Sequence, residues 1–353
     1  MKKWSHVLSA AILTVGICLG YGQEAQAMVG GKPVIGISWK SPKQAKSYEA
    51  FKKIITMAGG IPVELDQIKS TDVTYAADGT VDKAYVEPSG MLKQAYADKI
   101  RHDGFERTNI QTVMQGIDGV FGTGGEDISP SLYKVPETEK NHGETINAAR
   151  DISDYALQDY CRRHDIPVLN VCRSEQMMGI VYGVTFIQDI PDYYKTQGVK
   201  AYKEIHRMAP GTPNRDYTHH AIRILPVNSK LRSIVGDDTF DKVSSWHHQN
   251  ILSVAGTGLI QTAEYTDQGL SLVEGVEDPH RKFAVGLQFH PENDIKQVVL
   301  NHKDPKGYAD VDICLAFFKA LIAASCTCQQ KLDTKLKKSG IKNESMYKIH
   351  QLF

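Results

Sequence analysis

The sequence predicts a doubly wound α/β fold with a mostly parallel sheet and antiparallel additions in its second half. Three observations carry this: short apolar runs that alternate with helix-like stretches, glycine breaks at their junctions, and a change to β-rich patterning beyond about residue 220. Val34-Ile35-Gly36-Ile37-Ser38 reads as a short apolar strand. Tyr48 to Ala58 carries helical spacing and stops at Gly59-Gly60, and Ile61-Pro62-Val63-Glu64-Leu65 restarts as a strand, which makes a βαβ opening. Residues 67–115 are polar and mixed, with Asp78-Gly79 and Pro88-Ser89-Gly90 as turn signals, and read as an insertion carrying one or two helices. Gly119 to Gly122 is the next strand and leads into Thr123-Gly124-Gly125, while Asn147 to His164 is a helix feeding the strand that ends at Cys172. Parallel strands with crossover helices are the economical solution to this order. β-like runs follow near Ala221 to Leu225, Leu259 to Ala263, Leu270 to Val276 and Phe283 to Phe289, and Asp310 to Cys326 closes the domain as an amphipathic helix.

The ends of the chain read differently from its middle. Lys2 and Lys3 precede an apolar stretch from Val7 to about Gly20, and Ala25-Gln26-Ala27 offers a small-x-small cleavage pattern, so residues 1–27 are expected to be a signal peptide. The stretch is shorter than the roughly 20 residues a membrane span needs. Ile17 before Cys18 argues against lipid attachment. Residues 28–325 would form the domain and residues 326–353 a basic tail, and the location would be periplasmic or secreted. Lys and Arg number 41 and Asp and Glu 41, so no global field recruits nucleic acid or an acidic membrane surface. A small substrate is the expected partner, with no cofactor. Of six cysteines, Cys161, Cys314, Cys326 and Cys328 are open to two disulfides in an oxidising compartment, or to none.

Three segments carry chemistry. In Ile166-Pro167-Val168-Leu169-Asn170-Val171-Cys172-Arg173-Ser174-Glu175-Gln176 an apolar run stops at a thiol just before a helix-compatible stretch. That is the rim where open α/β sheets place their sites, and a helix N-terminus favours thiolate; the competing reading is a buried structural cysteine. Thr123-Gly124-Gly125 lets backbone N–H groups approach a carbonyl, as an oxyanion hole requires. Gln288-Phe289-His290-Pro291-Glu292 offers an imidazole base with a carboxylate two residues away to hold its tautomer. The pairs His219-His220 and His247-His248 lack a ligand spacing such as His-x-x-x-His, so no metal site is expected.

In this order the motifs resemble the class I glutamine amidotransferase superfamily, and within it the γ-glutamyl-γ-aminobutyrate hydrolase family. Val34-Ile35-Gly36-Ile37, Ala58-Gly59-Gly60-Ile61-Pro62, Thr123 to Tyr133, Arg150-Asp151, Cys172-Arg173 with Gln176, Gln188-Asp189, Ser244 to Gln249 and Gln288 to Glu292 carry the resemblance, from about residue 33 to residue 325. It implies a flavodoxin-like domain in which Cys172 is the nucleophile, His290 the base and later acid, and Glu292 the carboxylate that orients the imidazole. Backbone N–H groups of Gly125 and Arg173 would form the oxyanion hole, acting through backbone position rather than side chain. Gln176 would hold the glutamyl group, and Gly124, His248 and Gln249 would line its site. The implied activity is hydrolysis of γ-glutamyl amides by a stand-alone enzyme, and a homodimer is compatible with it. The sequence departs from the family at Asn170 and Ser174, where small residues flank the nucleophile, at Asp154, where Glu is usual, and in its long insertion. A non-catalytic binding protein, a γ-glutamyl transferase and a hydrolase of γ-linked D-glutamate in peptidoglycan stem peptides stay open as alternatives.

Overall fold

The computed structural model describes residues 31–39, 45–133, 146–199, 202–203 and 205–326. The expected signal segment, Cys328 and all of the tail beyond Cys326 lie outside the described residues. Strands are β1 Val34–Ile37, β2 Ile61–Glu64, β3 Gly119–Gly122, β4 Val168–Val171, β5 Thr185–Ile187, β6 Thr218–Ile224, β7 Thr239–Ser245, β8 Asn250–Ser253, β9 Ile260–Asp267, β10 Leu270–Glu277 and β11 Ala284–Leu287. Helices are α1 Ala45–Ala58, α2 Gln94–Asp103, α3 Ile110–Val113, α4 Ala148–His164, α5 Arg173–Tyr182, α6 Ile190–Thr196, α7 Lys230–Val235, α8 Pro291–Ile295 and α9 Val311–Ser325.

Nine strands form one sheet in the order β2-β1-β3-β4-β11-β10-β9-β6-β7. The first five run parallel, with Ile35 against Gly119, Val120 against Val168 and Leu169 against Val285. From β11 onward every pairing is antiparallel. The predicted fold class is therefore present: a parallel half built by crossovers, then a meandering antiparallel half. Two features of the sheets were not read from the sequence, nor were the short helices α6, α7 and α8. Strand β7, in the polar run Thr239–Ser245, forms the sheet edge against β6, and β5 pairs with β8 in a separate two-stranded ribbon. Neither has the apolar alternation that marks a half-buried strand; their pairing partners define them.

Strand alternation divides the core. Ile35, Ile37, Phe121, Leu169, Val171, Val285 and Leu287 face Phe51 and Ile54 of α1 and Phe317, Phe318 and Leu321 of α9. Their neighbours Val34, Val120, Val168 and Ala284 face Ala156, Leu157 and Tyr160 of α4 on the other side. Helix α4 starts where the Asn147 side chain accepts from the Arg150 N–H and stops at Asp165, which takes a left-handed conformation. Helix α9 is capped by Asp310, whose carboxylate accepts from the N–H groups of Asp312 and Ile313. Within the predicted insertion, Val73, Val81, Leu92, Ala97 and Ile100 pack on Ile152 and Tyr155 of α4 and Met177 and Ile180 of α5. It thereby covers the two helices that carry the site. Cys161, Cys314 and Cys326 are free thiols, so no disulfide joins any two of these three.

Phe318 is fully buried with its ring centroid 5.0 Å from that of Phe121, pinning α9 to β3. Phe318→Ala is expected to lower the unfolding free energy by about 3–5 kcal/mol, read from urea denaturation.

Candidate active site

The carboxyl ends of β3, β4 and β11 converge on one rim, where open α/β sheets place ligands. Cys172 ends β4 and has φ 49° and ψ −112°, a sparsely populated conformation for a residue with a Cβ. It is held from both sides: its N–H donates to the Leu287 carbonyl (2.8 Å), prolonging the β4–β11 ladder, and its carbonyl accepts from the Gln176 N–H (3.0 Å), opening α5. The turn delivers the thiol at the N-terminus of α5, and the strain of about 1–3 kcal/mol is carried by those flanking bonds.

The larger residues beside the elbow are seated. Asn170 exchanges amide hydrogen bonds with Gln158 of α4 (2.7 and 2.9 Å), and Ser174 Oγ donates to the Thr123 carbonyl (2.8 Å). Gly122 makes room for both, since a Cβ there would lie 2.2 Å from Asn170 Oδ1 and 2.7 Å from Ser174 Cβ. The bulk is thus absorbed on the neighbouring strand, and the elbow forms.

Two buried guanidinium groups set the glycine loop. Arg150 is 0% exposed and Arg173 1%. Arg150 donates to the Gly124 carbonyl (2.8 Å), Thr123 Oγ1 (2.9 Å) and the Glu126 carboxylate (2.9 Å). Arg173 donates to the Glu126 carbonyl (2.6 Å), Asp151 (2.7 Å) and Asp154 (3.0 Å). With the carbonyls of residues 123, 124 and 126 all held, the peptide plane that carries the Gly125 N–H is fixed. Asp151, Asp154 and Glu126 override the effect of burial and keep Arg173 charged, while burial pushes Asp151 itself up despite Arg173 and Ser129. The expectation that Arg173 matters only through its backbone is thus corrected: its side chain is a strut of the loop. Asp154, the departure from Glu, accepts from both arginines on Oδ2.

His290 follows β11. Its Nδ1 lies 2.6 Å from Glu292 Oε1, and its ring meets that of Tyr217 edge-on with centroids 5.0 Å apart. A Cβ on Gly124 would fall 2.8 Å from His290 Cε1 and 3.6 Å from Cys172 Cβ, so this loop packs against both residues and glycine is needed there. Burial alone would lower the His290 pKa, but Tyr217, Glu292 and Cys172 hold it well above the usual range. Tyr217 is itself pushed up to about 12 by burial, so near neutrality it carries no charge. His290 Nε2 makes no hydrogen bond among the described residues, and the thiol contacts the Trp246 carbonyl at 3.7 Å. Such contacts in an empty site tighten when substrate arrives.

Gly125, Cys172, Gln176, His248 and Gln249 line one small cleft of about 50 Å³, together with Arg207 and the acidic residues Glu126 and Asp127. A larger cleft of about 420 Å³, lined by Trp39, Tyr48 and Asp66 among others, includes neither Cys172 nor His290. The expected binding residues divide by what their polar atoms do. Gln176 spends its amide on the Gln249 carbonyl (3.0 Å) and Gln288 (2.9 Å), so it braces the cleft wall. His248 spans two carboxylates, with Nδ1 3.0 Å from Asp189 and Nε2 3.0 Å from Asp127. Burial works against its charge, but those two partners raise its pKa, and its ring nitrogens are engaged. Arg207, which no sequence motif marks, brings a cation to the cleft beside the nucleophile; only proximity in the fold reveals it.

Comparison with known proteins follows this geometry. Residues 60–292 match the family described as Peptidase C26. Protein NtpR of Enterococcus hirae is 32% identical over 241 residues, covering 68% of this chain and 90% of that protein. A glutamine amidotransferase-like protein of Rickettsia prowazekii is 28% identical over 279 residues, covering 67% of this chain and 90% of its own. Among solved structures, a glutamine amidotransferase of Thermotoga maritima aligns with a TM-score of 0.42 at 13% identity, over 85% of this chain and all of that one.

Gly122→Ala is expected to cost about 1–3 kcal/mol through overpacking against Asn170 and Ser174, measured by urea unfolding. Unchanged stability would mean that Asn170 is not confined as described.

Proposed function

From the premise that this chain belongs to the Peptidase C26 family, we propose that it hydrolyses γ-glutamyl amides of small amines or peptides through a thioester on Cys172. The observation that carries the reading is the strained Cys172 elbow beside the His290–Glu292 pair, with Gly124 packed close to both. The Cys172 thiolate attacks the γ-carbonyl carbon, and the tetrahedral oxyanion accepts from the N–H groups of Gly125 and Arg173. Protonated His290 gives its proton to the departing amine. Neutral His290 then takes a proton from water, whose oxygen attacks the thioester and releases glutamate and the thiolate. Glu292 stabilises the imidazolium throughout. Each oxyanion donor lowers the barrier by about 3 kcal/mol, which a loop fixed beforehand by two arginines delivers without reorganisation.

Recognition follows from the charges of a γ-glutamyl group. Arg207 would take the α-carboxylate, and the acidic side chains of Glu126 and Asp127 would face the α-ammonium. A non-catalytic binding protein is suggested by Asn170 and by the tail, but Asn170 sits in a place made for it by Gly122 and Gln158. Export is a companion proposal resting on the Lys2-Lys3 start and Ala25-Gln26-Ala27; protein recovered outside the cytoplasm would begin at Met28.

Incubation with a panel of γ-glutamyl amides should release amine and trap a glutamyl adduct on Cys172, visible by intact mass. Cys172→Ala should cut kcat by roughly 10⁴-fold or more. A folded protein that releases no amine from any panel member would refute the proposal. Transfer is distinguished from hydrolysis by adding amino acids as competing acceptors.

The pH dependence has a definite sign. His290 must be protonated when the amine leaves, so its raised pKa carries activity to higher pH than an ordinary histidine would, and activity falls as pH rises through that value. Glu292→Gln removes one of the charges that raise it, so the alkaline limb of kcat/KM should move down in pH. A limb that stays in place would exclude His290 as the acid.

A further inference from the structure

Behind the cleft wall lies a second buried cluster that the proposed chemistry does not use. His206 precedes Arg207, His220 lies on β6, His247 follows β7 and Glu274 lies on β10; all four are buried. Glu274 Oε1 is 3.4 Å from His206 Nδ1, 3.7 Å from His220 Nε2 and 3.9 Å from His247 Nε2. None of these contacts is a hydrogen bond: both ring nitrogens of His206, Nε2 of His220 and His247, and both oxygens of Glu274 have no hydrogen-bond partner among the described residues. That is six orphaned polar atoms in one spot, where leaving a single one unpaired costs on the order of 1–3 kcal/mol.

The tautomers sharpen the picture. His220 Nδ1 sits 3.2 Å from the Ala221 carbonyl, and His247 Nδ1 sits 2.9 Å from the Gln249 carbonyl. Carbonyl oxygens only accept, so both rings carry their proton on Nδ1 and present a bare Nε2 lone pair inward. This backbone-anchored arrangement is the one that metal-ligating histidines adopt. Glu175 adds a second buried carboxylate with no partner on either oxygen. A divalent cation would balance both carboxylates.

We propose that His206, His220 and Glu274 bind one divalent transition-metal ion, best matched by Zn²⁺, with the bare nitrogen of His247 adjoining the fourth position. The donor set is the nitrogen and oxygen set zinc prefers. Bonds of roughly 2.0–2.1 Å in a tetrahedron put donor atoms about 3.3 Å apart, close to the 3.4 and 3.7 Å found from Glu274 to the two ring nitrogens. His206, His220 and Glu274 offer ligand atoms that all lie within 4.8 Å of one another. The expectation of no metal rested on spacing within single segments, whereas these ligands come from separate strands and loops. The ion would tie β6, β10 and the segment entering Arg207 together, and would act structurally. The proposal stands apart from the hydrolase reading, because metal content is measured without any substrate.

The purified full chain, loaded with Zn²⁺ and dialysed, should retain one equivalent by elemental analysis. Loading with Co²⁺ in place of zinc should give the intense visible absorption of a tetrahedral nitrogen and oxygen site. Glu274→Gln and His220→Gln should each weaken Co²⁺ affinity at least tenfold while circular dichroism shows a folded chain, and chelator should lower the melting temperature of the parent protein but not of these variants. If the folded parent retains no metal, or folded variants bind Co²⁺ as tightly as the parent, the proposal fails. Should both variants misfold, competition of the parent against a chromophoric chelator decides, since no measurable zinc uptake refutes the site.

Discussion

Burial of two guanidinium groups beneath the glycine loop is the constraint from which the site's geometry follows. An arginine removed from water must find anions and acceptors for its donors or cost several kcal/mol. Arg150 and Arg173 find them in Glu126, Asp151 and Asp154 and in the carbonyls of Thr123, Gly124 and Glu126. Because the acceptors are backbone atoms of the loop itself, satisfying the arginines and fixing the loop are one event. The insertion that covers α4 and α5 keeps water from competing. Three elements distant in sequence thereby acquire a single geometry.

The Cys172 elbow is the complementary case, in which strain rather than charge is held in place. Its left-handed φ is tolerated because the residue belongs at once to the β4–β11 ladder and to the first turn of α5. Asn170 and Ser174, which on size alone argue against a tight elbow, become part of its support. Asn170 ties β4 to α4 through Gln158, and Ser174 ties α5 to the Thr123 carbonyl. A bulky pair is admitted by a glycine on the adjacent strand, so the volume at the elbow is conserved across β3 and β4 rather than residue by residue.

What was legible in the sequence was what repeats locally or marks a junction. Short continuous apolar runs and helical spacing marked the parallel half, α1, α4 and α9, and the abrupt ends of apolar runs at Thr123, Cys172 and His290 marked the rim. Less legible were features that depend on pairing across the fold. The β5–β8 ribbon joins residues more than sixty positions apart, and β7 is an edge strand whose polar sequence resembles a loop. Arg150 and Arg173 look like surface residues in the sequence, since charged side chains are rarely buried unless paired, and their partners lie up to 47 positions away. Arg207 likewise joins the cleft only because the segment before β6 folds back to β10.

The two buried polar clusters of this protein obey opposite rules, and the contrast is informative. Around Arg150 and Arg173, charges of both signs meet and nearly every donor is used, which is what a network that only positions a loop requires. Around Glu274, a carboxylate meets the bare Nε2 atoms of His220 and His247, and Glu175 adds a second buried carboxylate whose oxygens have no hydrogen-bond partner among the described residues. A set of converging lone pairs is complementary to a cation. Within one antiparallel half-sheet, β6 and β10 supply that set next to the loop that carries His247, and His247 in turn anchors the Gln249 carbonyl on which Gln176 rests. The backing of the cleft is therefore continuous with the cation-shaped cluster, so a loss of order there would reach the wall against which Cys172 sits.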